Sequence, residues 1–168
     1  MFRVARTLKI AGLLLVAGTL AACSTSSEKE APPVTTSQPS TSAIKPGSAE
    51  DFRVNVGDTV FFDLDQHSIR PDAQPVLQKQ AAWLQKYPSV KLMVEGHCDE
   101  RGTREYNLAL GDRRAYAVKE YLVSLGVDAA RLQSKSYGKE RPVCAESDES
   151  CWQQNRRGYS VIVGGAGS

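Results

Sequence analysis

The residues best placed to do chemistry lie in one stretch, from Val94 to Ala115. It reads Val-Glu-Gly-His-Cys-Asp-Glu-Arg-Gly-Thr-Arg-Glu-Tyr-Asn-Leu-Ala-Leu-Gly-Asp-Arg-Arg-Ala. The pattern predicts a strand that breaks at a polar loop holding Gly96 and Gly102 and then resumes as a long helix. A strand that empties through a glycine-flanked loop into a helix start collects free backbone N–H groups, a usual setting for a ligand. Asp99 sits in that loop. Asn107, Leu110 and Arg114, at i, i+3 and i+7, fall on one stripe of the helix. A carboxylate and a guanidinium would then face a common cleft. That pair suits a zwitterion, the acid receiving an ammonium and the arginine fork a carboxylate.

The adjacent His97-Cys98-Asp99, with His67, also raises a metal centre. Consecutive strand residues point to opposite faces, so His97 and Cys98 would diverge, and no second cluster has ligand spacing. No metal and no cofactor is implied. A Ser-His-Asp or Cys-His arrangement cannot be placed either, so the expectation is a binding protein. The rival is a hydrolase or amidase, which would need a metal, an activated nucleophile or tuned carboxylates.

These residues have to be held by a domain, and the chain has 168 residues for it. Residues 1–22 read as a signal segment, with Arg3, Arg6 and Lys9 before an apolar run from Ile10 to Ala22 that is too short to span a bilayer. The run ends Leu20-Ala-Ala-Cys23, similar to the lipobox of bacterial lipoproteins, in which Cys23 would carry the lipid; a plain secretory signal is the alternative. In such lipoproteins an Asp after the cysteine favours the inner membrane, so Ser24 in that place implies the outer membrane. Loss of residues 1–22 removes three cations, leaving 18 Lys+Arg against 19 Asp+Glu, a formal charge of −1. Such a balance argues against a nucleic-acid partner.

Residues 23–50, rich in Ser, Thr and Pro, read as a disordered tether, residues 51–163 as the folded head and 164–168 as a flexible tail. In the head, strands are expected at Val60–Leu64, around Val90–Val94, at Arg131–Tyr137 and at Tyr159–Val163. Helices are expected from about Pro71 to Pro88 and from Arg104 to Leu125, with one or two turns at Trp152–Arg157. Leu108, Gly111, Ala115, Val118, Leu122 and Leu125 give the second helix a core stripe. The order βαβαβ(α)β implies an α+β (α/β sandwich) fold, with both main helices on one mixed sheet. Cys144 and Cys151 bracket a short polar loop in a chain bound for an oxidising compartment, which predicts a disulfide, and Cys98 reads as a buried free thiol. Arg156 and Arg157 look structural, one of them bracing the acidic loop at Glu146 to Glu149.

With Gly96-His-Cys-Asp-Glu-Arg-Gly-Thr, Tyr106-Asn-Leu-Ala-Leu-Gly-Asp-Arg-Arg-Ala, Ser136-Tyr-Gly-Lys-Glu-Arg-Pro and Asn155-Arg-Arg in view, the chain resembles the OmpA-like periplasmic domain family, in its branch of peptidoglycan-associated lipoproteins. The resemblance covers about residues 53–163. It implies an OmpA-like domain, lipid-anchored in the outer membrane and facing the periplasm, that holds the diaminopimelate-containing stem peptide of peptidoglycan without catalysis. Asp99 then matches the family's ammonium-binding acid and Arg114 its carboxylate-binding arginine. Phe62 and Asp63 match the opposite cleft wall, and Asn107 and Leu110 the residues that shape the pocket. The resemblance further implies TolB and the Tol system as partners. The Cys144–Cys151 pair and the ending Val-Gly-Gly-Ala-Gly-Ser depart from the common family pattern.

Overall fold

The computed structural model describes residues 44–166. The signal run, Cys23 and the tether up to residue 43 lie outside the described residues. Order begins earlier than composition suggests. Ser48 caps a short helix, α1 (Ala49–Asp51), by accepting from the Asp51 amide, and the helix widens into a π turn over Phe52–Val56. The Asp51 carboxylate accepts from Gly47 N, Asn55 Nδ2 and Trp83 Nε1, while Phe52 packs on Trp83 at 4.9 Å. Residues assigned to the tether up to Glu50 therefore belong partly to the head. A serine, a glycine and an acid look like linker composition but here cap a helix.

Four strands follow, β1 (Thr59–Phe61), β2 (Lys91–His97), β3 (Leu132–Gly138) and β4 (Arg157–Gly164), interleaved with α2 (Gln74–Lys86), α3 (Arg104–Ser124) and α4 (Glu149–Asn155). The sheet order is β1-β4-β2-β3. β4 runs antiparallel to both neighbours, and β2 pairs parallel with β3. A parallel pair needs a crossover, which α3 supplies. The expected α+β sandwich on a mixed sheet is therefore the architecture of the protein. The core comprises Phe62, Leu77, Leu84, Leu92, Val94 and Val118, each with 0 % exposure, and their neighbours.

Several boundaries differ from the pattern. The first strand stops at Phe61 rather than Leu64, although Phe62 N still bonds to Arg156 O at 2.9 Å. Residues 71–73 form a turn, so α2 starts at Gln74 with Pro75 in its first turn. Asp148 caps α4 by accepting from Cys151 N, which starts that helix three residues before the expected Trp152. β4 runs through Gly164, and Gly165 O accepts from Ser89 Oγ, so the expected tail is ordered up to there. The expected core stripe of α3 holds at Gly111, Ala115, Val118 and Leu122 and fails at Leu108. Leu108 is 50 % exposed, whereas Asn107, Leu110 and Arg114 are buried.

Two glycines set the distance between α3 and the sheet. A Cβ on Gly96 would collide with the backbone carbonyl of Gly111, and one on Gly111 would collide with Ser136 Oγ. Helix and strand thus touch backbone to backbone just before β2 shifts register between Gly96 and His97. That contact delivers the end of β2 and the first turns of α3 to one cleft.

Candidate functional site

The cleft at the end of β2 encloses about 300 Å³, lined in part by Asp65, Asp99, Arg101, Asn107, Arg114 and Arg156. Its loop, residues 98–103, is held on every side. Cys98 N donates to Gly138 O at 2.8 Å, and Lys139 Nζ donates to Glu100 O and Gly102 O at 2.9 and 2.7 Å. Asn107 Nδ2 donates to Arg101 O and Thr103 O at 2.7 and 3.0 Å. Thr103 then caps α3, accepting from Tyr106 N. Asn107 therefore lines the cleft and spends its amide group on the loop backbone. Leu110 lines the same wall and is 4 % exposed.

Asp99 is 5 % exposed and carries two arginines. Arg101 donates from its backbone N and Nε to Oδ1 at 3.1 and 3.2 Å, and from Nη2 to Oδ2 at 2.6 Å. Arg156 Nη1 reaches Oδ2 at 3.2 Å. Burial pushes the Asp99 carboxyl up, but the hydrogen bonds from Arg101 and Arg156 outweigh it and hold the group below the usual carboxylate range. The two partners differ in kind. Arg156 is buried and also grips Phe62 O at 3.2 Å and Glu149 Oε1 at 2.6 Å. Arg101 is about one-third exposed.

Arg114 has 0 % exposure. Its Nε donates to Gln66 O at 2.8 Å, Nη1 to His97 O at 2.8 Å and Nη2 to Asp63 O at 3.0 Å. Three of five N–H groups are thus committed to backbone carbonyls, which ties the β1–α2 loop to the end of β2. Burial lowers its affinity for the proton, as for any cation withdrawn from water. Asp99 and Arg114 do share one cleft, as their spacing predicts.

Phe62 and Asp63 need correction. The Phe62 ring lies in the core, with the Arg114 guanidinium 5.2 Å from its centroid, and does not line the cleft. The Asp63 carboxylate points to solvent, where Arg70 Nη1 binds it at 3.0 Å. Val60 and Phe62 are buried while Phe61 between them is 40 % exposed, so the alternation of β1 carries on and sends Phe62 inward. The opposite wall is formed by Leu64 and Asp65 instead, and Asp65 accepts from the Tyr106 hydroxyl across the cleft mouth.

Arg101 and Arg156 were not assigned to the site in the sequence reading. Arg101 is two residues from Asp99, a signal that could have found it. Arg156 does brace the acidic loop, through Glu149, but its other nitrogen reaches Asp99 from 57 positions away, which no local pattern reveals. Arg157 is structural, donating to Asn155 O and Arg141 O. Cys144 and Cys151 are joined as a disulfide with Cα atoms 5.1 Å apart, and Cys98 is a buried free thiol that burial pushes up. Among the described residues no group of His, Cys, Asp and Glu could hold a metal ion, and no helix is long and apolar enough to cross a membrane.

The profile of the OmpA family matches residues 61–156, more than half of the chain. The chain belongs to the OmpA family. It is similar to the peptidoglycan-associated lipoprotein of Rhizobium meliloti (strain 1021), at 61 % identity over 126 residues that cover 75 % of this chain and 71 % of that one. The protein of the same description from Agrobacterium fabrum is 62 % identical over 122 residues, 73 % of this chain and 68 % of that one. Among solved structures, the peptidoglycan-associated lipoprotein from Burkholderia pseudomallei superposes with a TM-score of 0.61 at 45 % identity, covering 62 % of this chain and 89 % of that one. Within the OmpA family the chain therefore falls among the peptidoglycan-associated lipoproteins.

Proposed function

We propose that this chain is a lipoprotein of the outer membrane that grips peptidoglycan non-covalently and so ties membrane to wall. The lipid sits on Cys23, residues beyond it give reach, and the head faces the periplasm. Like its family, the chain is not an enzyme. The ligand is the diaminopimelate-bearing stem peptide, whose free side-chain end carries both an ammonium and a carboxylate. The reading is carried by one observation. Asp99 is a buried carboxylate whose partner Arg101 is about one-third exposed, in a cleft that also presents Arg114 and Arg156.

An arriving ammonium takes the oxygens that Arg101 gives up. The ligand carboxylate takes cationic N–H groups left over on the cleft floor. Arg114 acts mainly by holding that floor in shape, since most of its fork serves backbone carbonyls. Modest affinity suffices, because many anchored copies act together on one polymer. By the same reading the Tol system, TolB included, is the protein partner, and the tether serves envelope integrity and constriction of the outer membrane during division.

Calorimetric titration of the lipid-free protein, residues 24–168, with a diaminopimelate stem peptide and its lysine counterpart tests the site. Lysine keeps the ammonium and lacks the second carboxylate. Selective binding that Asp99→Asn weakens by at least tenfold is the expected result. Equal binding of both peptides, or an Asp99→Asn protein that binds like the parent, removes the zwitterion pocket. Muropeptide release from purified sacculi would instead return the hydrolase reading.

A further inference from the structure

The disulfide lies outside the cleft, yet everything it restrains leads back to Asp99. The Cys144–Cys151 bond closes the segment that leads into α4. The buried Asn155 closes the same segment a second time, its Oδ1 accepting from Val143 N and Cys144 N at 2.8 and 3.2 Å and its Nδ2 donating to Cys144 O at 2.7 Å. A helix of seven residues has little stability of its own, so these ties hold it in place.

Two side chains of that helix face Arg101. The Trp152 ring lies 4.0 Å beneath the Arg101 guanidinium, and its Nε1 donates to Glu100 Oε1 at 3.0 Å. Glu149 Oε2 stands 3.7 Å from Arg101 Nη1. The Arg101 guanidinium thus rests on an indole between two carboxylates, Asp99 on the cleft side and Glu149 on the outer side.

We infer that the Cys144–Cys151 disulfide sets ligand affinity, by holding Trp152 and Glu149 as the seat to which Arg101 withdraws when a ligand ammonium takes Asp99. Trp152 and Glu149 are positioning residues that act through Arg101. The inference rests on the zwitterion reading of the cleft. With the seat in place, Arg101 exchanges its Asp99 contacts for a closer pairing with Glu149, now 3.7 Å away, and stays over the Trp152 ring. With the disulfide open, the start of α4 is left with the Asp148 cap, the Asn155 ties and the Arg156–Glu149 pair, so the seat loosens and Arg101 competes harder for Asp99. A dithiol delivers the opposite state. It passes two electrons and two protons to the bond, leaving two thiols on this chain, and becomes a disulfide itself.

The test compares stem-peptide binding by oxidised protein, dithiol-reduced protein and the Cys144→Ser/Cys151→Ser variant, with circular dichroism as the check of fold. Loss of the bond is expected to weaken binding about two- to fivefold, the worth of the weak ion pair gained on withdrawal. Should the double variant fail to fold, the reduced parent makes the same comparison. The readout that a merely structural role would not move is Arg101→Ala. Without the competing guanidinium, oxidised and reduced forms should bind alike. Equal affinity of the oxidised and reduced parent overturns the inference and leaves the cleft reading intact, and so does a redox effect that persists in Arg101→Ala. Failure of the oxidised parent to bind at all overturns the cleft reading and this inference with it.

Discussion

Replacing Arg114 by Met should destabilise the head before it says anything about ligand. The substitution keeps much of the side-chain volume and removes all three donors. It strands the carbonyls of Asp63, Gln66 and His97, which now accept from Arg114 at 2.8–3.0 Å. Hydrogen bonds to a charged donor contribute about 1.5–3 kcal/mol each, so the gross loss is about 5–9 kcal/mol. Against this stands the cost of keeping a guanidinium out of water, several kcal/mol, which Met does not incur. The balance is a net loss of about 3 kcal/mol, a large share of the 5–15 kcal/mol typical of a domain. Urea unfolding followed by circular dichroism reads this directly. With a slope of about 1.5 kcal/mol per molar urea, the midpoint should fall by about 2 M. Arg114→Lys, which keeps the charge but cannot fork, should fall roughly half as far. A midpoint shift under about 0.5 M for Arg114→Met would refute the idea that these carbonyls depend on Arg114. Loss of binding in an Arg114 variant is therefore evidence about the ligand only when stability is measured beside it.

Asp99 titrates below its ordinary 3.8 in the folded protein, so both the ion pairs and the binding it supports are fully present above that pH and fade only as pH falls through the lower folded value. Stem-peptide affinity should thus be flat from pH 7 to about 4, and titrations in that range check it. His97 behaves oppositely. Its imidazole is buried and makes no hydrogen bond, although Glu95 Oε2 stands 3.4 Å from Nε2, and burial, reinforced by Arg157 and Arg141, lowers its pKa from 6.5 to about 4. The unfolded chain takes that proton first, so stability should be constant above pH 6.5 and drop as pH falls towards 4, by up to about 3 kcal/mol. His97→Phe should flatten the profile in urea titrations across this range. Gly96→Ala should prevent folding, because its methyl collides with the Gly111 carbonyl and neither backbone can yield. Expression of soluble, cooperatively unfolding Gly96→Ala protein would show that the strand–helix contact is looser than described.

The sequence by itself determined the α+β class, the order of the main elements and the placing of Asp99 and Arg114 in one cleft. Those follow from local rules: alternation in strands, a 3.6-residue period in helices, proline and glycine at ends, and a fixed spacing of seven between Asn107 and Arg114 on one helix. It placed Leu108 on the core stripe, because a period rule counts leucine as inward; in the structure the cleft stripe of Asn107 and Arg114 is buried and Leu108 is not. The loop after β2 and the loop after β1 carry buried carbonyls that only a polar side chain on α3 can satisfy, so the polar stripe turns in and Leu108 turns out. Phe62 went to the core for a similar reason, since its direction depends on which face of β1 the helices cover. Arg156 reaches Asp99 because β4 is laid between β1 and β2, a pairing across the length of the domain. The charge set of the cleft depends on that strand order, and a linear chain carries no local mark of which distant arginine will arrive beside its buried acid.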